Sequence, residues 1–358
     1  MNEQSFDPRV THEANDVPIG PLKTAASVAG DIFTGISIPK PIKDNALKAF
    51  NRLCTAAIDV PVAYLEGVVA EKRAETQARI KLINDTNQQI ADQLDVRPEY
   101  AQAAVKKFGA RIVREQLNID KISENAALQI QHEKSASGGG GEEAVSEIND
   151  DWLNAFEKEA GQKSTEEMQL LFGKILAGEI CKPSSFSIKT IRLISQIDQG
   201  TAKLFRRFCS LSMSLRVAER DLIFDARVIS LGGNAGINVL AKYGLSFASL
   251  NTLQEYGLII PDYNSYMSFA SSLVINNTVG LPIIYQNKLW ALLPVAETPS
   301  DEDLKMHGVA LSHAGKELLP IVDIEPNEEY TNALREFFKQ KKLELVPVAN
   351  PVPKEESE

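Results

Sequence analysis

Residues 169–186, which read QLLFGKILAGEICKPSSF, constrain the fold more than any other part of the chain. Ser164 followed by Glu167 predicts a capping box that begins a helix near Thr165, because these side chains can satisfy two backbone donors reciprocally. Two adjacent i, i+4 rows of apolar residues give this helix one wide apolar face: Leu171 and Ile175, then Phe172, Leu176 and Ile180. Pro183 should end the helix. The stretch therefore predicts a helix that packs in a globular core.

Further helices are predicted on either side of this stretch. A helix from about Ser187 places apolar residues on one side, and another after an Asp198 N-cap turns apolar residues inward; these are Ile188, Ile191 and Ile194, then Leu204, Phe205 and Phe208. Trp152 and Phe156 lie four residues apart, which favours core anchors over a ligand platform. Together these segments predict a helical module of three to four helices over residues 148–215.

A glycine-rich segment divides the chain. Residues 135–141 read SASGGGG, and glycine has no side chain to pack and the most backbone freedom to lose, so we predict a linker over residues 135–147. Before it, residues 1–20 are expected to be a disordered N-terminus and residues 21–134 a helical region. Asp44 is expected to cap one helix of this region, and Pro98 to begin another.

A long helix over residues 62–94 is the main feature of that N-terminal region. Apolar residues recur at near-helical spacing at its ends, but its middle is charged and has few apolar anchors. Such a helix either lies across its own domain or pairs with a partner, and the sequence leaves both alternatives open. Because closed self-association is common among soluble chains, we expect a homo-oligomer or a partner protein bound through the N-terminal helices.

The pattern changes from helical to mixed after residue 215. Short apolar runs predict strands at 226–231, 273–275, 283–285, 289–293 and 309–311. A helix carrying Leu250 and Leu253 should end at Gly257 in the left-handed conformation. This order predicts a winged-helix-like α+β unit over residues 216–322, followed by a C-terminal helix and tail over residues 323–358. The fold class is therefore mainly α with a C-terminal α+β part.

Composition narrows the classes of function. A chain of 358 residues exceeds the size of one hydrophobic core, so two or three domains are expected. A net charge of −10 argues against broad binding of nucleic acid or anionic membrane, because both depend on basic residues. Cys54, Cys181 and Cys209 have no metal-binding spacing and fit free thiols in a reducing cytoplasm. The free thiols therefore lead us to expect a cytoplasmic protein. No apolar run reaches the ~18 residues of a spanning helix.

Motifs that would carry catalysis are weak throughout. No H-x-x-x-H pair exists to hold a metal, and residues 231–236 are glycine-rich but lack the lysine of a phosphate-binding loop, so a turn is expected there. Ser312 is interpreted as a helix cap rather than a nucleophile. Glu179 and Lys182 are expected to form a surface pair. The sequence therefore predicts no catalytic, cofactor-binding or metal-binding residue.

Charge also weighs against DNA binding by the winged-helix-like unit. Between residues 246 and 294 the acids and bases are Glu255, Asp262 and Lys288, whereas a surface that contacts phosphates normally carries several basic residues. The basic cluster of Lys203, Arg206 and Arg207 is interpreted as the solvated side of its helix.

Four segments carry a resemblance to a known family: the Asp151-Trp152 pair, the run at 169–179, the turn with Pro183, Ser185, Phe186 and Ser187, and the stretch at 198–205. They resemble the bacterial family catalogued as domain of unknown function 2806, and more loosely the abortive-infection alpha domains of phage-defence loci. Phe172 departs from a tryptophan frequent there, and Cys181-Lys182 from acidic or amide residues.

That family has no established chemistry, so the resemblance implies a non-catalytic interaction or sensor protein, an accessory component of anti-phage defence. Two alternatives remain open: a DNA-binding regulator that uses the winged-helix-like unit, and an enzyme whose site no motif reveals.

Overall fold

The computed structural model describes residues 38–54, 97–136, 146–217, 222–234, 236–295 and 299–348. The predicted disordered N-terminus, the predicted helix over residues 62–94 and most of the predicted linker lie outside these residues. The boundaries of the domains stay predictions.

Six α-helices precede the first strand of the described chain. They are α1 (Lys40–Leu53), α2 (Pro98–Ala136), α3 (Asp150–Ala160), α4 (Glu166–Cys181), α5 (Ile188–Gln196) and α6 (Gln199–Leu211). Helix α5 begins where the Ser187 side chain accepts from Thr190 N, and α6 where the Asp198 side chain accepts from Thr201 N. The predicted helix start near Ser187 and the predicted Asp198 N-cap are both confirmed, because each depends only on neighbouring residues.

Among the helices of the described residues, α2 and α4 make the most extensive contact. Gly173 of α4 lies directly against α2, since a Cβ built on it would be 2.7 Å from Asn125 Cβ and 3.2 Å from Ala126 N. The apolar face of α4 is buried as predicted, with Phe172, Ile175, Leu176 and Ile180 all at 0% exposure. Helices on both sides of the predicted linker therefore share one core.

The helix start predicted near Thr165 is confirmed, but two predicted helix caps are wrong. The N-cap of α4 is Thr165, whose side chain makes no capping bond, so the capping box of Ser164 and Glu167 does not form. Asp44 lies inside α1, which begins after Pro39. Pro41 lies in the first turn of this helix, where a backbone N–H would have no acceptor within the helix. The proline is therefore compatible with the start of the helix.

The C-terminal part contains an antiparallel sheet and three more helices. The strands are β1 (Met213–Val217), β2 (Leu222–Ile229), β3 (Ile259–Ile260), β4 (Tyr266–Ser268), β5 (Val274–Ile275), β6 (Thr278–Val279), β7 (Ile283–Tyr285), β8 (Lys288–Pro294), β9 (Lys305–Leu311) and β10 (Leu343–Pro347). The helices are α7 (Phe247–Glu255), α8 (His313–Leu318) and α9 (Glu328–Gln340).

The main sheet has the order β10-β8-β7-β1-β2-β9-β3, with β4 also paired to β9. Two-residue turns join β5 to β6 and β7 to β8, with positive φ at both residues of each turn; these are Asn276, Asn277, Gln286 and Asn287. Gly257 has φ 68° after α7, as predicted. The sheet and the helical layer belong to one hydrophobic core.

These elements confirm the fold class of helices with a C-terminal α+β part. The winged-helix arrangement is not confirmed, because most of the predicted strands belong to a larger sheet whose central strand β1 crosses the predicted boundary at residue 215. The predicted strand at 273–275 corresponds to β5, which pairs with β6 in a separate two-stranded sheet. Strand β10 brings C-terminal residues into the same sheet by pairing with β8. Tyr330 of α9 anchors the C-terminal helix, donating from its hydroxyl to the Ile229 carbonyl at 3.0 Å.

Gly109 of α2 and Gly173 of α4 give a matched test of this packing. Gly173→Ala should lower the free energy of unfolding by about 1–3 kcal/mol, because the added methyl overpacks the contact with Asn125. Gly109→Ala should raise it by about 0.5–1 kcal/mol, because nothing lies within 4 Å of the added methyl and alanine favours helix. Urea unfolding measures both, and a stabilised Gly173→Ala would contradict the close contact.

Candidate functional site

Glu179 is a buried carboxylate near the end of α4, with 1% exposure. Its Oε1 accepts from Ser184 N at 2.7 Å and its Oε2 from Phe186 N at 3.0 Å. The chain reverses over the carboxylate through Ser184, whose φ is 70°. The predicted surface pair with Lys182 is therefore wrong, because the turn after the helix folds back and removes Glu179 from solvent.

Phe186 fixes the far end of this turn. Its carbonyl accepts from Trp152 Nε1 at 2.7 Å, and its ring lies on Gly178, where a Cβ would be 2.8 Å from Phe186 Cε2. Trp152 also stacks on Phe156 with ring centroids 5.1 Å apart, which confirms both as core anchors. The tryptophan thus satisfies its polar N–H through the same turn that Glu179 holds.

A second carboxylate reaches the turn from the sheet side. Glu317 of α8 accepts at Oε2 from Ser187 N at 2.9 Å and from Ser187 Oγ at 3.1 Å. Its Oε1 lies 3.0 Å from His313 Nε2. Ser187 is also the N-cap of α5, so Glu317 connects the start of that helix to α8. We call Trp152, Glu179, Phe186, Ser187 and Glu317 the turn clamp.

The electrostatics of the turn clamp follow from burial. Desolvation raises the pKa of Glu179 above its ordinary value of 4.5, and the nearby Glu317 charge raises it further. Hydrogen bonds from the backbone N–H groups of residues 184–186 oppose this rise by stabilising the carboxylate. Both oxygens of Glu179 are occupied by backbone donors, so the arrangement holds a turn in place and offers no group to a substrate.

Glu179 and Glu317 were missed as site residues by the sequence prediction. A signal for Glu179 was present, because it lies three residues after Leu176 and four after Ile175 and so shares their apolar face. An acid at such a position needs donors from elsewhere in the fold. No local pattern pairs Glu317 with Ser187, 130 residues away.

A buried ion pair lies in the sheet. Arg227 of β2 donates from Nε and Nη2 to the two oxygens of Asp225 at 2.6 and 2.7 Å, and its Nη1 donates to the Ser265 and Met306 carbonyls. Arg227 is 3% exposed. Its donors are directed to protein acceptors, so this pair joins β2 to β4 and β9 rather than binding a ligand.

A cleft of about 350 Å³ lies between α9 and the β8–β10 edge, lined by Trp290, Arg335, Lys339, Glu344, Leu345 and Pro347. The Arg335 guanidinium lies 5.9 Å from the centroid of the Trp290 ring. The ionisable groups of this lining are those of Arg335, Lys339 and Glu344, and the lining contains no hydroxyl, thiol or imidazole group.

The basic cluster, the glycine-rich segment and Ser312, which the sequence also indicated, lie at defined positions in the structure. Lys203, Arg206 and Arg207 are exposed on α6, and Arg206 pairs with Glu325 at 3.0 Å. Residues 231–234 begin with a turn in which Gly232 has φ 83°. Ser312 caps α8 by accepting from Gly315 N at 3.1 Å.

Within the described residues, no group of three or more His, Cys, Asp or Glu side chains could hold a metal ion. None of the helices in the described ranges is long and apolar enough to cross a membrane.

The fold and the turn clamp define a class of protein: a helical layer joined to an antiparallel sheet, with one buried and one partly buried carboxylate holding the turn between them. Residues 103–335 match the model of the family described as protein of unknown function (DUF2806), which covers most of the chain. The chain belongs to this family. No curated protein and no solved structure matches it.

Glu179→Gln tests the turn clamp. The amide can accept from only one of the two backbone N–H groups and turns a donor toward the other, so the free energy of unfolding should fall by about 1–3 kcal/mol at pH 7. Glu255→Gln, an exposed change on α7, should alter it by less than about 0.5 kcal/mol. Urea unfolding measures both, and equal effects would contradict a structural role for Glu179.

The pH dependence of the same variant has a definite sign. Because the pKa of Glu179 is raised on folding, its contribution to stability is fully present below 4.5 and decreases as the pH rises through the folded value. The difference in unfolding free energy between the native chain and Glu179→Gln should therefore be larger at pH 4.5 than at pH 7.5. A difference that grows with pH would show that the backbone hydrogen bonds outweigh desolvation.

Proposed function

We propose that the protein is a non-catalytic interaction protein that self-associates through helix α2. The observation that carries this proposal is a stripe of exposed apolar side chains on α2. Val113, Leu117 and Leu128 have exposures of 57%, 49% and 49%. We call these three residues the outer stripe.

The outer stripe lies on one face of the helix. Val113 and Leu117 are separated by four residues, and Leu117 and Leu128 by eleven, which is close to three full turns. The opposite face of α2 packs in the core through Ile119, Ile122 and other residues. Single exposed apolar residues are ordinary, but three on one face, backed by a rigid core, are a surface suited to a partner.

A second copy of the chain fits this surface. In an antiparallel pair of α2 helices, Val113 of one copy faces Leu128 of the other, and the twofold axis repeats the same contact. Lys121 and Glu124 lie between these residues and already pair at 3.0 Å within one copy. In the antiparallel pair each can also approach the opposite charge of the second copy. Closed twofold association is the commonest form of soluble homo-oligomer.

The biological role proposed for this assembly is an accessory or sensor function in defence against phage. Its support is the resemblance of the helical module to abortive-infection alpha domains, together with membership of a family without established chemistry. The turn clamp is consistent with a role as a scaffold, because its carboxylates are occupied by backbone donors.

Leu117→Lys should disrupt self-association. A lysine at this position replaces an apolar contact of the interface with a charge that must be desolvated, so the dissociation constant should rise at least about tenfold. Ile275→Lys is the matched control, because Ile275 is 60% exposed on the β5–β6 hairpin. Light scattering after gel filtration measures both variants. A chain that is monomeric at micromolar concentration before any substitution would remove the proposal.

The proposed role in defence can be tested with the same pair of variants. In its native genetic locus, the Leu117→Lys chain should lose protection against phage in a plaque assay, and the Ile275→Lys chain should keep it. Equal plating on a host with the locus and on one without it would contradict the role in defence while leaving self-association intact.

A further inference from the structure

The N-terminal half of α2 is basic, although the chain as a whole is acidic. Residues 97–115 contain five lysines and arginines and two glutamates, whereas the whole chain has a net charge of −10. All five basic side chains are exposed: Arg97, Lys106, Lys107, Arg111 and Arg114. Exposed lysine and arginine side chains supply most of the affinity of proteins for phosphates. The negative net charge therefore opposes anion binding by the chain as a whole but not by this segment.

Three of these basic residues form a stripe along one face of α2. Lys107 and Arg111 are separated by four residues and Arg111 and Arg114 by three, so each lies about one turn from the next. They span about 10 Å along the helix axis, which lets one nucleic-acid strand contact all three through neighbouring phosphates. We call Lys107, Arg111 and Arg114 the basic stripe.

The cations of the basic stripe are available to an external anion. Within the described residues, neither Lys107 nor Arg114 forms an ion pair or a hydrogen bond. Arg111 Nε lies 3.6 Å from Glu115 Oε1, and both side chains are exposed, at 62% and 41%. An exposed pair of this kind contributes little, because water screens it. An incoming phosphate can therefore replace Glu115 as the partner of Arg111 at small cost.

Two exposed aromatic rings accompany the basic stripe. Tyr100 is 66% exposed and lies seven residues before Lys107, which places it on the same face two turns away. Phe108 is 50% exposed, and the Arg111 guanidinium carbon lies 5.2 Å from the centroid of its ring. Large aromatic side chains are usually well buried in proteins. Exposed rings beside a row of cations are the arrangement that binds unpaired bases by stacking.

The other basic cluster, on α6, has no such rings. Phe205 and Phe208 are the aromatic residues of that helix, and they are 4% and 0% exposed. Arg206 is already in an ion pair. Lys203 and Arg207 therefore supply exposed charge without a stacking surface, which makes them a suitable control for the basic stripe.

We infer that the N-terminal half of α2 binds single-stranded nucleic acid, with phosphates on the basic stripe and unpaired bases stacked on Tyr100 and Phe108. Single strands are favoured over a duplex because the bases of a duplex are already stacked inside it and do not reach an aromatic side chain. DNA and RNA share the phosphates and the unpaired bases that this surface recognises.

This binding goes beyond the proposed self-association. The basic stripe lies about a quarter of a turn around α2 from the outer stripe, so the two surfaces are distinct. Binding of nucleic acid can therefore fail while self-association holds, and the reverse also applies.

Fluorescence anisotropy of the full-length chain tests the inference. The probes are labelled oligothymidylate and oligouridylate of about 20 nucleotides, which exceeds one binding site, and a DNA duplex of the same length. For the single strands, the logarithm of the association constant should fall with that of the salt concentration at a slope of about −2, as three neutralised phosphates require. The duplex should bind more weakly, because its bases do not reach the two rings.

Two sets of variants separate charge from stacking. Lys107→Gln with Arg114→Gln should weaken binding at least about tenfold at low salt and reduce the slope to about −0.7, because one phosphate contact remains. Tyr100→Ala should weaken binding at least about fivefold without changing the slope, and Tyr100→Phe should keep the native affinity because it keeps the ring.

The matched control is Lys203→Gln with Arg207→Gln, which removes the same charge from α6. It should change the affinity by less than about twofold, because salt screens charges that do not contact the strand. Melting temperatures confirm that every variant folds.

Binding of either single strand supports the inference, and the tighter of the two identifies DNA or RNA as the ligand. A duplex that binds as tightly as the single strands, or an unchanged affinity in Tyr100→Ala, would overturn it by showing that charge alone is recognised. An α6 control that weakens binding as much as the α2 pair, or no binding at about 50 mM salt, would also overturn it. Cosedimentation with phosphatidylserine vesicles without binding to either strand would overturn it in favour of a membrane surface.

Discussion

The structure depends on the need of one buried carboxylate for hydrogen-bond donors. Glu179 has 1% exposure and obtains its donors from the backbone of the turn that follows its own helix. That turn brings Phe186 under Trp152 and sets Ser187 at the start of α5. Because Glu317 holds Ser187 from α8, the same turn connects the helical layer to the sheet. Removing the carboxylate would leave the Ser184 and Phe186 N–H groups of this turn without their acceptor.

Helix α2 is the second element on which the structure depends. One of its faces packs in the core, and the opposite face is exposed. Its C-terminal half packs closely on α4 at Gly173, where no side chain could be accommodated without displacing Asn125. The opposite side carries the outer stripe that we propose as the self-association surface. A 39-residue helix is about 58 Å long, which exceeds the diameter of a small domain, so part of it necessarily extends past a single core.

The sequence predicted an element correctly where the two residues of the stabilising interaction are close together in the chain. Ser187, Asp198 and Ser312 cap the helices expected, and β7 has the predicted bounds, because caps and short hairpin strands depend on neighbouring residues. The same logic failed at Ser164 and Asp44. In each case the helix begins after a different residue nearby, Thr165 or Pro39. The sequence pattern does not show which of the two possible helix starts is more stable.

The sequence by itself determined the helical apolar faces, the turns, the class of fold and the family of this protein. Only the tertiary structure decided which strands are neighbours, such as β10 beside β8, and which donors satisfy Glu179 and Glu317. The periodicity of a strand specifies its buried face but carries no information about its partner. Likewise, the acid at position 179 reveals a need for hydrogen bonds, and the fold alone determines that the chain's own next turn supplies them.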